Sequence, residues 1–284
     1  MSAPERFGAR LAKAISARGP LCAGIDPHPG LLEAWGLPVD ASGLERFALG
    51  ATEVLAAETA IVKPQSAFFE AFGAAGVAVL ERVVALARDA GALVLLDVKR
   101  GDIGSTMAAY TAAYVAGGAA IAADAITVSP YLGFGSLEQC VATGREAGRG
   151  VFVLARTSNP EAHALQSAKL PDGRTVAQSV VDAAAALNAG AGPLGDVGVV
   201  AGATIAPGEL DLTALNGPVL APGFGAQGAT VADLRAVFGD ALLAKGVLPA
   251  SSRDILRHGP DAAALRTAVR ATRELLAGPQ ENGQ

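Results

Sequence analysis

The chain has 284 residues, of which 51% are hydrophobic and only 5% aromatic, and its formal net charge is −5. This length suits one large barrel or two small domains and is ample to bury a core. The acidic balance, without a basic stripe interleaved with aromatic residues, argues against nucleic-acid binding.

The sequence carries no signal of a membrane or secreted protein. Its longest apolar zone, residues 112–128, is interrupted by Gly117, Gly118 and Asp124, so we do not expect it to span a bilayer. The first residues carry scattered charges and lack the apolar core of a signal peptide. Two cysteines are too few for a disulfide framework. We therefore expect a cytoplasmic protein.

Short apolar runs alternate with amphipathic stretches along the whole chain. The predicted strands are residues 21–26, 59–64, 92–96 with their polar continuation, 124–130, 150–160, 197–204, 218–225 and 241–246. The predicted helices are residues 5–18, 44–58, 76–90, 105–117, 136–146, 176–188, 207–215, 231–238 and 260–277. Residues 161–174 are expected to form an excursion or lid, and the tail, residues 278–284, to be disordered.

Eight buried strands, each followed by a helical segment, predict an α/β protein with the (β/α)8 TIM-barrel fold. No shift in composition and no Pro/Ser-rich linker divides the chain, so residues 1–284 are expected to form one domain. Such barrels keep their active site at the carboxyl ends of the strands. The residues at those ends are therefore the candidate functional residues.

The third predicted strand ends in a cluster of charged residues. Because side chains alternate along a strand, Asp97 and Lys99 point to the same side, and Asp102 follows just beyond the strand end. An ammonium near two carboxylates stays protonated. Lys99 is then unsuited to Schiff-base chemistry but suited to deliver a proton to a carbanion. An ordinary surface ion cluster is the alternative, but buried charges are costly unless they are paired.

Further polar side chains end other strands. Asp26 ends the first predicted strand, Lys63 lies at the end of the second, and Thr157 and Ser158 lie at the end of the fifth. In a barrel all of these ends meet at one face. On chemistry alone, Thr157 and Ser158 either bind the edge of a ligand or start a turn.

The ends of the last two predicted strands favour a phosphate site. The glycines of residues 223–228, Gly225 among them, would let backbone N–H groups approach an oxyanion. Ser251, Ser252 and Arg253 follow the eighth strand, and Arg253 supplies a forked positive charge. Barrels often build a phosphate site from these two loops.

Three histidines, one further lysine and one arginine are not predicted to act in a site. His28, His163 and His258 lie apart from cysteines and carboxylates at metal-ligand spacing, so no metal site is predicted. Lys245 lies within the predicted eighth strand and could be catalytic, but a core or ion-pair role is favoured. Arg100 has the parity of a residue that points out of the barrel, where we expect a structural ion pair.

The segment DVKRGDIGST resembles the D-x-K-x-x-D signature of orotidine 5′-phosphate decarboxylases. With KPQSAFFE after the second strand, ARTSNP after the fifth and APGFGAQG after the seventh, the pattern is similar to the longer bacterial branch of that family. The similarity runs from Leu21 to about Leu256, although D-x-K-x-x-D alone is shared with related sugar-phosphate barrels. One departure is Val98, where alanine is expected; it faces away from the site.

The resemblance implies cofactor-free and metal-free decarboxylation of orotidine 5′-phosphate to UMP in pyrimidine biosynthesis. It also implies a homodimer in which Asp102 and Thr106 reach into the neighbouring subunit's site. The implied catalytic residues are Lys99 as proton donor, Asp97 beside the substrate carboxylate, Asp102 and Lys63. The implied substrate-binding residues are Asp26 at the ribose, Ser158 at the pyrimidine, Gln227 and Arg253 at the phosphate, and Thr106 from the partner, besides Gly225 and Ser252 of the predicted phosphate loops.

Three other functions remain open at this point. One is a magnesium-dependent decarboxylase or aldolase acting on a sugar phosphate, which a chelator would inactivate. Another is a Schiff-base aldolase, which borohydride would trap and which the carboxylates beside Lys99 disfavour. The third is a non-catalytic nucleotide-phosphate binding protein, which would bind UMP and turn nothing over.

Overall fold

The computed structural model describes residues 3–225 and 228–278. Its strands are β1 (Cys22–Ile25), β2 (Ile61–Pro64), β3 (Leu93–Arg100), β4 (Ala125–Val128), β5 (Gly150–Arg156), β6 (Val197–Ala201), β7 (Val219–Pro222) and β8 (Val247–Ser251). Each strand pairs in parallel with the next, and β1 pairs with β8 to close the barrel. The predicted (β/α)8 fold is confirmed.

Helices surround this barrel and close its amino-terminal end. They are α1 (Phe7–Arg18), α2 (Pro29–Ala34), α3 (Ala41–Glu58), α4 (Ser66–Glu70), α5 (Gly73–Asp89), α6 (Gly104–Tyr114), α7 (Glu138–Glu146), α8 (His163–Gln166), α9 (Val176–Leu187), α10 (Val231–Lys245), α11 (Arg253–Leu256) and α12 (Ala262–Ala277). Short 3₁₀ helices precede α7 and α8. None of the described helices combines the length and apolarity needed to cross a membrane.

The barrel separates two apolar cores. The larger core fills the space between the strands and the outer helices. The smaller lies inside the barrel, where Ile61, Leu95 and Phe152 from different strands meet. Strands buried on both faces in this way read as continuous apolar runs, which is why their positions can be recognised in the sequence.

Helix α1 closes the amino-terminal end of the barrel. Phe7 and Leu11 are fully buried in the inner core, and the Phe7 ring meets Phe152 edge to face at 6.0 Å between centroids. The helix is tied down by buried Asp196, whose Oδ1 accepts the Gly8 N–H at 3.0 Å, and by Arg10, which donates to Asp124 at 2.6 Å. The interior is therefore accessible from the opposite, carboxyl-terminal end.

The helix expected at residues 207–215 is wrong: the structure has turns there. Gly208 adopts a left-handed φ of 82°. The Asp211 carboxylate accepts the Thr213 N–H at 3.0 Å and its hydroxyl at 2.6 Å. Aspartate side chains that bind the backbone two residues ahead favour turns over helix.

The eighth strand was predicted one segment too early. Residues 241–245 continue α10 beyond a kink at Gly239 (φ 71°), and the strand is the next apolar run, β8. Alanine and leucine are strong helix formers, whereas Pro249 counted against the true strand because proline is rare in central strands. Lys245 accordingly lies at the end of α10, where its Nζ donates to Asn216 Oδ1 at 2.9 Å.

Two further segments are better defined than expected. The final helix begins at Ala262 rather than at Pro260, because Asp261 caps it by accepting the Ala264 N–H at 2.7 Å. The excursion at residues 161–174 contains α8 and closes with a bridge between Lys169 and Thr175. All but the first residue of the tail predicted for 278–284 lies outside the described residues.

Candidate active site

A cavity of about 350 Å³ opens at the carboxyl ends of the strands. It is lined by Gly24, Asp26, Lys63, Gln65, Asp97, Lys99, Leu154, Thr157, Ser158, Asn159, Val200, Gly202, Pro222, Gly223, Phe224, Ala250, Ser251, Ser252 and Arg253. Most of the polar residues predicted from the sequence are in this set. The cavity thus brings together side chains from distant parts of the chain.

Asp97 is the charged centre of the cavity. Its carboxylate is buried and lies between two ammoniums: Lys63 Nζ is 3.1 Å from Oδ2, and Lys99 Nζ is 2.6 Å from Oδ1. Lys63 is itself buried, but the Lys99 side chain is 46% exposed. Lys99 therefore has one side against Asp97 and the other toward the cavity, where a ligand would lie.

The local path of β3 produces this pairing. Asp97 and Lys99 are two residues apart and project to the same side, as strand parity predicted. Arg100 projects away and pairs with Glu70 of α4, which confirms its structural ion pair. Lys99 also has a left-handed φ of 46°, a costly conformation for a residue with a side chain and one that occurs often at functional sites.

The cavity holds its two buried charged groups in their ionised forms. Burial alone would raise the pKa of Asp97, but the charges of Lys63 and Lys99, with hydrogen bonds from Lys99 and Thr127, lower it to about 2. Burial would lower the pKa of Lys63, but the charges of Asp26 and Asp97 raise it above its usual range. Burial also raises the pKa of the Cys22 thiol beneath the site to about 12, so Cys22 is not a nucleophile at neutral pH.

These shifts predict how stability depends on pH. The folded pKa of Asp97, about 2, is below its unfolded value of about 3.9. Its ionised form therefore stabilises the fold fully above that unfolded value, and this contribution is lost as the pH falls toward 2. In urea unfolding, the free energy of unfolding of the parent minus that of Asp97→Asn should decrease between pH 5 and pH 3. A difference that is constant or grows on acidification would contradict the shift.

Two polar atoms at the cavity have no partner among the described residues. Asp26 Oδ1 and Ser252 Oγ are buried and form no hydrogen bond within that part of the chain. The nearest charge to Asp26 Oδ1 is Lys63 Nζ at 3.8 Å. Buried polar atoms are normally satisfied, so these two atoms mark a local shortage of hydrogen-bond partners beside the cavity. The Asp26 side chain is 22% exposed and both residues line the cavity, so it is the exposed part of Asp26 that can accept from hydroxyl groups of a ligand.

The ends of β7 and β8 form the candidate phosphate pocket. Gly223 and Ser252 line the cavity beside Arg253, and no carboxylate of the described residues lies within ion-pair distance of the Arg253 guanidinium. Gly225 has a left-handed φ of 78°, and a Cβ there would lie 2.3 Å from Asp254 Oδ2. The backbone can pass so close to Asp254 only because this residue is glycine. Gln227, the other predicted phosphate ligand, lies outside the described residues.

Ser158 lies at the rim on a loop that is held from behind. The backbone N–H of Thr157 donates to Gln166 Oε1 at 2.8 Å, which ties the loop to α8. Arg156 is buried and donates to Glu209 Oε2 at 2.6 Å, which links β5 to the loop after β6. The excursion at residues 161–174 therefore supports the loop that carries Ser158.

Three of the predicted site residues that the structure describes do not line the cavity within one chain: Asp102, Thr106 and Gly225, which lies just beyond the lining residue Phe224. The Asp102 carboxylate accepts the N–H of its neighbour Ile103 at 2.8 Å, and Thr106 is exposed on α6. The carboxylate–ammonium–carboxylate cluster expected from the sequence is, in a single chain, one carboxylate between Lys63 and Lys99. Among the described residues no group of histidine, cysteine or carboxylate side chains could hold a metal ion.

Sequence reasoning missed two residues that contact Asp97. Gln65 accepts from Lys63 Nζ at 3.3 Å and donates to the Asp97 carbonyl at 3.4 Å. Thr127 of β4 is fully buried and donates to Asp97 Oδ1 at 2.7 Å. Gln65 could have been found from its parity with Lys63, and Thr127 as the one polar residue in an apolar strand.

Fold and site together define the class: a (β/α)8-barrel enzyme with a lysine–aspartate centre at the carboxyl ends of its strands. A model of the Orotidine 5′-phosphate decarboxylase / HUMPS family matches residues 19–268. The chain belongs to this family.

Relatives over nearly the full length agree with that assignment. The orotidine 5′-phosphate decarboxylase of Salinispora arenicola is 61% identical over 265 residues, covering 93% of this chain and 95% of its own. A Streptomyces avermitilis crystal structure assigned to the same enzyme has a TM-score of 0.93 and 55% identity, covering 97% of this chain and 96% of its own. The Leishmania donovani OMP decarboxylase structure has a TM-score of 0.72 and 31% identity, covering 96% and 98%.

Proposed function

We propose that this protein decarboxylates orotidine 5′-phosphate to UMP without a metal or cofactor. The observation that carries the proposal is the Lys99 ammonium, held 2.6 Å from buried Asp97 and half exposed to the cavity. The relatives above bear the name of this enzyme. A protein that only binds nucleotides needs no buried carboxylate between two ammoniums, because such a group adds no affinity for a neutral pyrimidine.

In the proposed reaction the substrate carboxylate lies against Asp97. Two negative groups in contact disfavour the ground state, and this unfavourable contact is relieved as the carboxylate leaves. The bond between C6 and the carboxyl carbon breaks, carbon dioxide departs, and the electron pair stays on C6. The Lys99 ammonium then donates a proton to C6, and the neutral amine recovers a proton from water.

The rest of the substrate would bind around this centre. The partly exposed carboxylate of Asp26 accepts a ribose hydroxyl, with Lys63 alongside it. Ser158 contacts the pyrimidine edge, and Ser252, Arg253 and Gln227 bind the 5′-phosphate together with the backbone near Gly225. Binding energy from the remote phosphate would hold the reacting carboxylate against Asp97 and so increase kcat as well as affinity.

We further propose that the active form is a homodimer in which Asp102 and Thr106 complete the partner's site. The loops after β3 and β4 start side by side, since the N–H of Ser129, the first residue after β4, donates to the carbonyl of Arg100, the last residue of β3, at 2.7 Å. The same two loops expose three large apolar side chains: Ile103, Tyr131 and Leu132. An apolar patch of this kind is typical of a protein interface, and it adjoins Asp102.

Mixed dimers test this arrangement. Lys99→Ala and Asp102→Ala are each expected to be inactive alone, but co-refolding them should restore about a quarter of the parent's activity. Half of the dimers are then mixed, and one of the two sites in each mixed dimer has Lys99 from one subunit and Asp102 from the other. The control pair, Lys99→Ala with Asp97→Ala, should stay inactive because both residues belong to one subunit. Equal activity of the two refolded mixtures would contradict a site shared between subunits.

The reaction itself is tested by the ultraviolet absorbance of orotidine 5′-phosphate mixed with the protein in excess chelator. Loss of substrate absorbance with UMP as the product is the expected result. Activity that needs added magnesium would move the function to a sugar-phosphate relative. UMP binding without turnover would identify a binding protein. We place this proposed activity in the cytoplasm.

A further inference from the structure

We infer that Thr127 is a positioning residue that holds Asp97 and Lys99 in their reactive arrangement. Thr127 is not part of the D-x-K-x-x-D signature at residues 97–102, because it lies on the neighbouring strand β4. The inference rests on the proposed function, since it names a residue that acts through Asp97 and Lys99.

Thr127 points into the barrel. Its strand is otherwise apolar, and Ala125, which shares its parity, belongs to the inner core. Ile126 and Val128, of opposite parity, belong to the outer core. The threonine is fully buried, so its hydroxyl must find partners within the protein.

The chemistry of its two partners fixes the direction of both hydrogen bonds. The Lys99 backbone N–H lies 3.0 Å from Thr127 Oγ1 and can only donate. The single hydroxyl proton is therefore available for the Asp97 carboxylate, whose Oδ1 lies 2.7 Å away. Valine has nearly the same shape but makes neither bond.

The backbone at this point needs such a partner. Leu96 pairs with Ile126 and Arg100 pairs with Val128. The two β3 residues are four positions apart in sequence, but their partners in β4 are only two positions apart. The ladder is interrupted between them, and Lys99 lies in this interruption with a left-handed φ of 46°. The Thr127 hydroxyl takes the place of a ladder carbonyl for the Lys99 N–H.

Thr127 thus connects backbone and side chain. By accepting the Lys99 N–H, it fixes the backbone from which the Lys99 side chain starts. By donating its hydroxyl proton, it fixes one carboxylate oxygen of Asp97. Lys99 Nζ contacts that same oxygen, Oδ1, while Lys63 contacts Oδ2. Loss of the hydroxyl would let both reacting groups move, while Asp26, Ser252 and Arg253 would be untouched.

The test compares Thr127→Val with Thr127→Ser. We expect Thr127→Val to lower kcat roughly 10–100-fold, because small displacements of reacting groups have effects of that size. The dissociation constant of UMP should stay within about threefold. Thr127→Ser keeps the hydroxyl and should recover most of the lost kcat. The control is Thr52→Val, which removes another fully buried hydroxyl, one that donates to Ala48 O, and should leave kcat unchanged.

A second readout does not depend on turnover. Carbon-13 NMR of the unliganded proteins follows the titration of the Asp97 carboxyl. The neighbouring titratable groups, Lys63, Lys99, Asp26 and Cys22, are the same in every variant, so a change in the Asp97 pKa reports the Thr127 hydroxyl. The Asp97 pKa should rise in Thr127→Val and return in Thr127→Ser. If Thr127→Val matches the parent in both readouts, or if serine fails to rescue, the inference is overturned. If the parent shows no turnover, the proposed function fails, and the titration alone decides the role of Thr127.

Discussion

Replacing Lys99 by alanine is expected to abolish nearly all turnover while UMP still binds. The substitution removes the proposed proton donor and one of the two charges beside Asp97. General acids contribute about 10²–10⁴-fold, so kcat should fall by at least about 10³-fold when this one also organises the charged centre. UMP carries no carboxylate at C6, and its affinity should change by less than about threefold. Steady-state turnover and calorimetric UMP binding measure the two quantities.

Lys245→Ala is the matched control for this result. The sequence also leaves Lys245 open as a catalytic residue, but the structure places it at the end of α10 with Asn216 as its partner. Its removal should leave kcat and UMP affinity unchanged. If Lys99→Ala retained more than a tenth of the parent's kcat, Lys99 could not be the proton donor.

Replacing Arg253 by alanine is expected to lower kcat/KM by roughly 10²–10³-fold, or about 3–4 kcal/mol. Arg253 lines the same cavity as Asp97 but follows β8, whereas Asp97 belongs to β3. Under the proposal it binds the 5′-phosphate, and this remote binding energy holds the carboxylate in place. Part of the loss should therefore appear in kcat and not only in KM.

Arg257→Ala provides the comparison, because Arg257 is an exposed arginine four residues further along that does not line the cavity. It should behave like the parent. An effect of Arg253→Ala below tenfold would remove Arg253 from the phosphate site. Inorganic phosphate should also inhibit the parent competitively and lose most of this effect in Arg253→Ala.

Much of the fold could be predicted because its signals are local. Buried parallel strands are short apolar runs, and parity alone places Asp97 and Lys99 on the same side of β3. The convergence of Asp26, Lys63 and Arg253 then follows from the barrel topology. The predicted position of the eighth strand is wrong because residues 241–246 and β8 are both short apolar runs, and Pro249 disfavours a strand at β8.

The contacts made by Asp97 were harder to predict because they depend on register. Thr127 reaches Asp97 and the Lys99 N–H only because the β3–β4 ladder is interrupted, and no spacing in the sequence reports that interruption. Gln65 is different, because it is two residues from Lys63 and strand parity alone places it on the same side. Asp102 follows the strand closely in sequence yet stays outside its own cavity, so its proposed role needs a second copy of the chain.

The most direct test of the central claim uses orotidine 5′-phosphate labelled with carbon-13 in its carboxyl group. The parent protein is mixed with it in deuterated water and excess chelator, and the products are followed by NMR. Labelled carbon dioxide should form in step with UMP that carries deuterium at C6, since exchanged Lys99 delivers a deuteron to that carbon. Unchanged substrate, or product formation only after magnesium is restored, would contradict cofactor-free decarboxylation at this site.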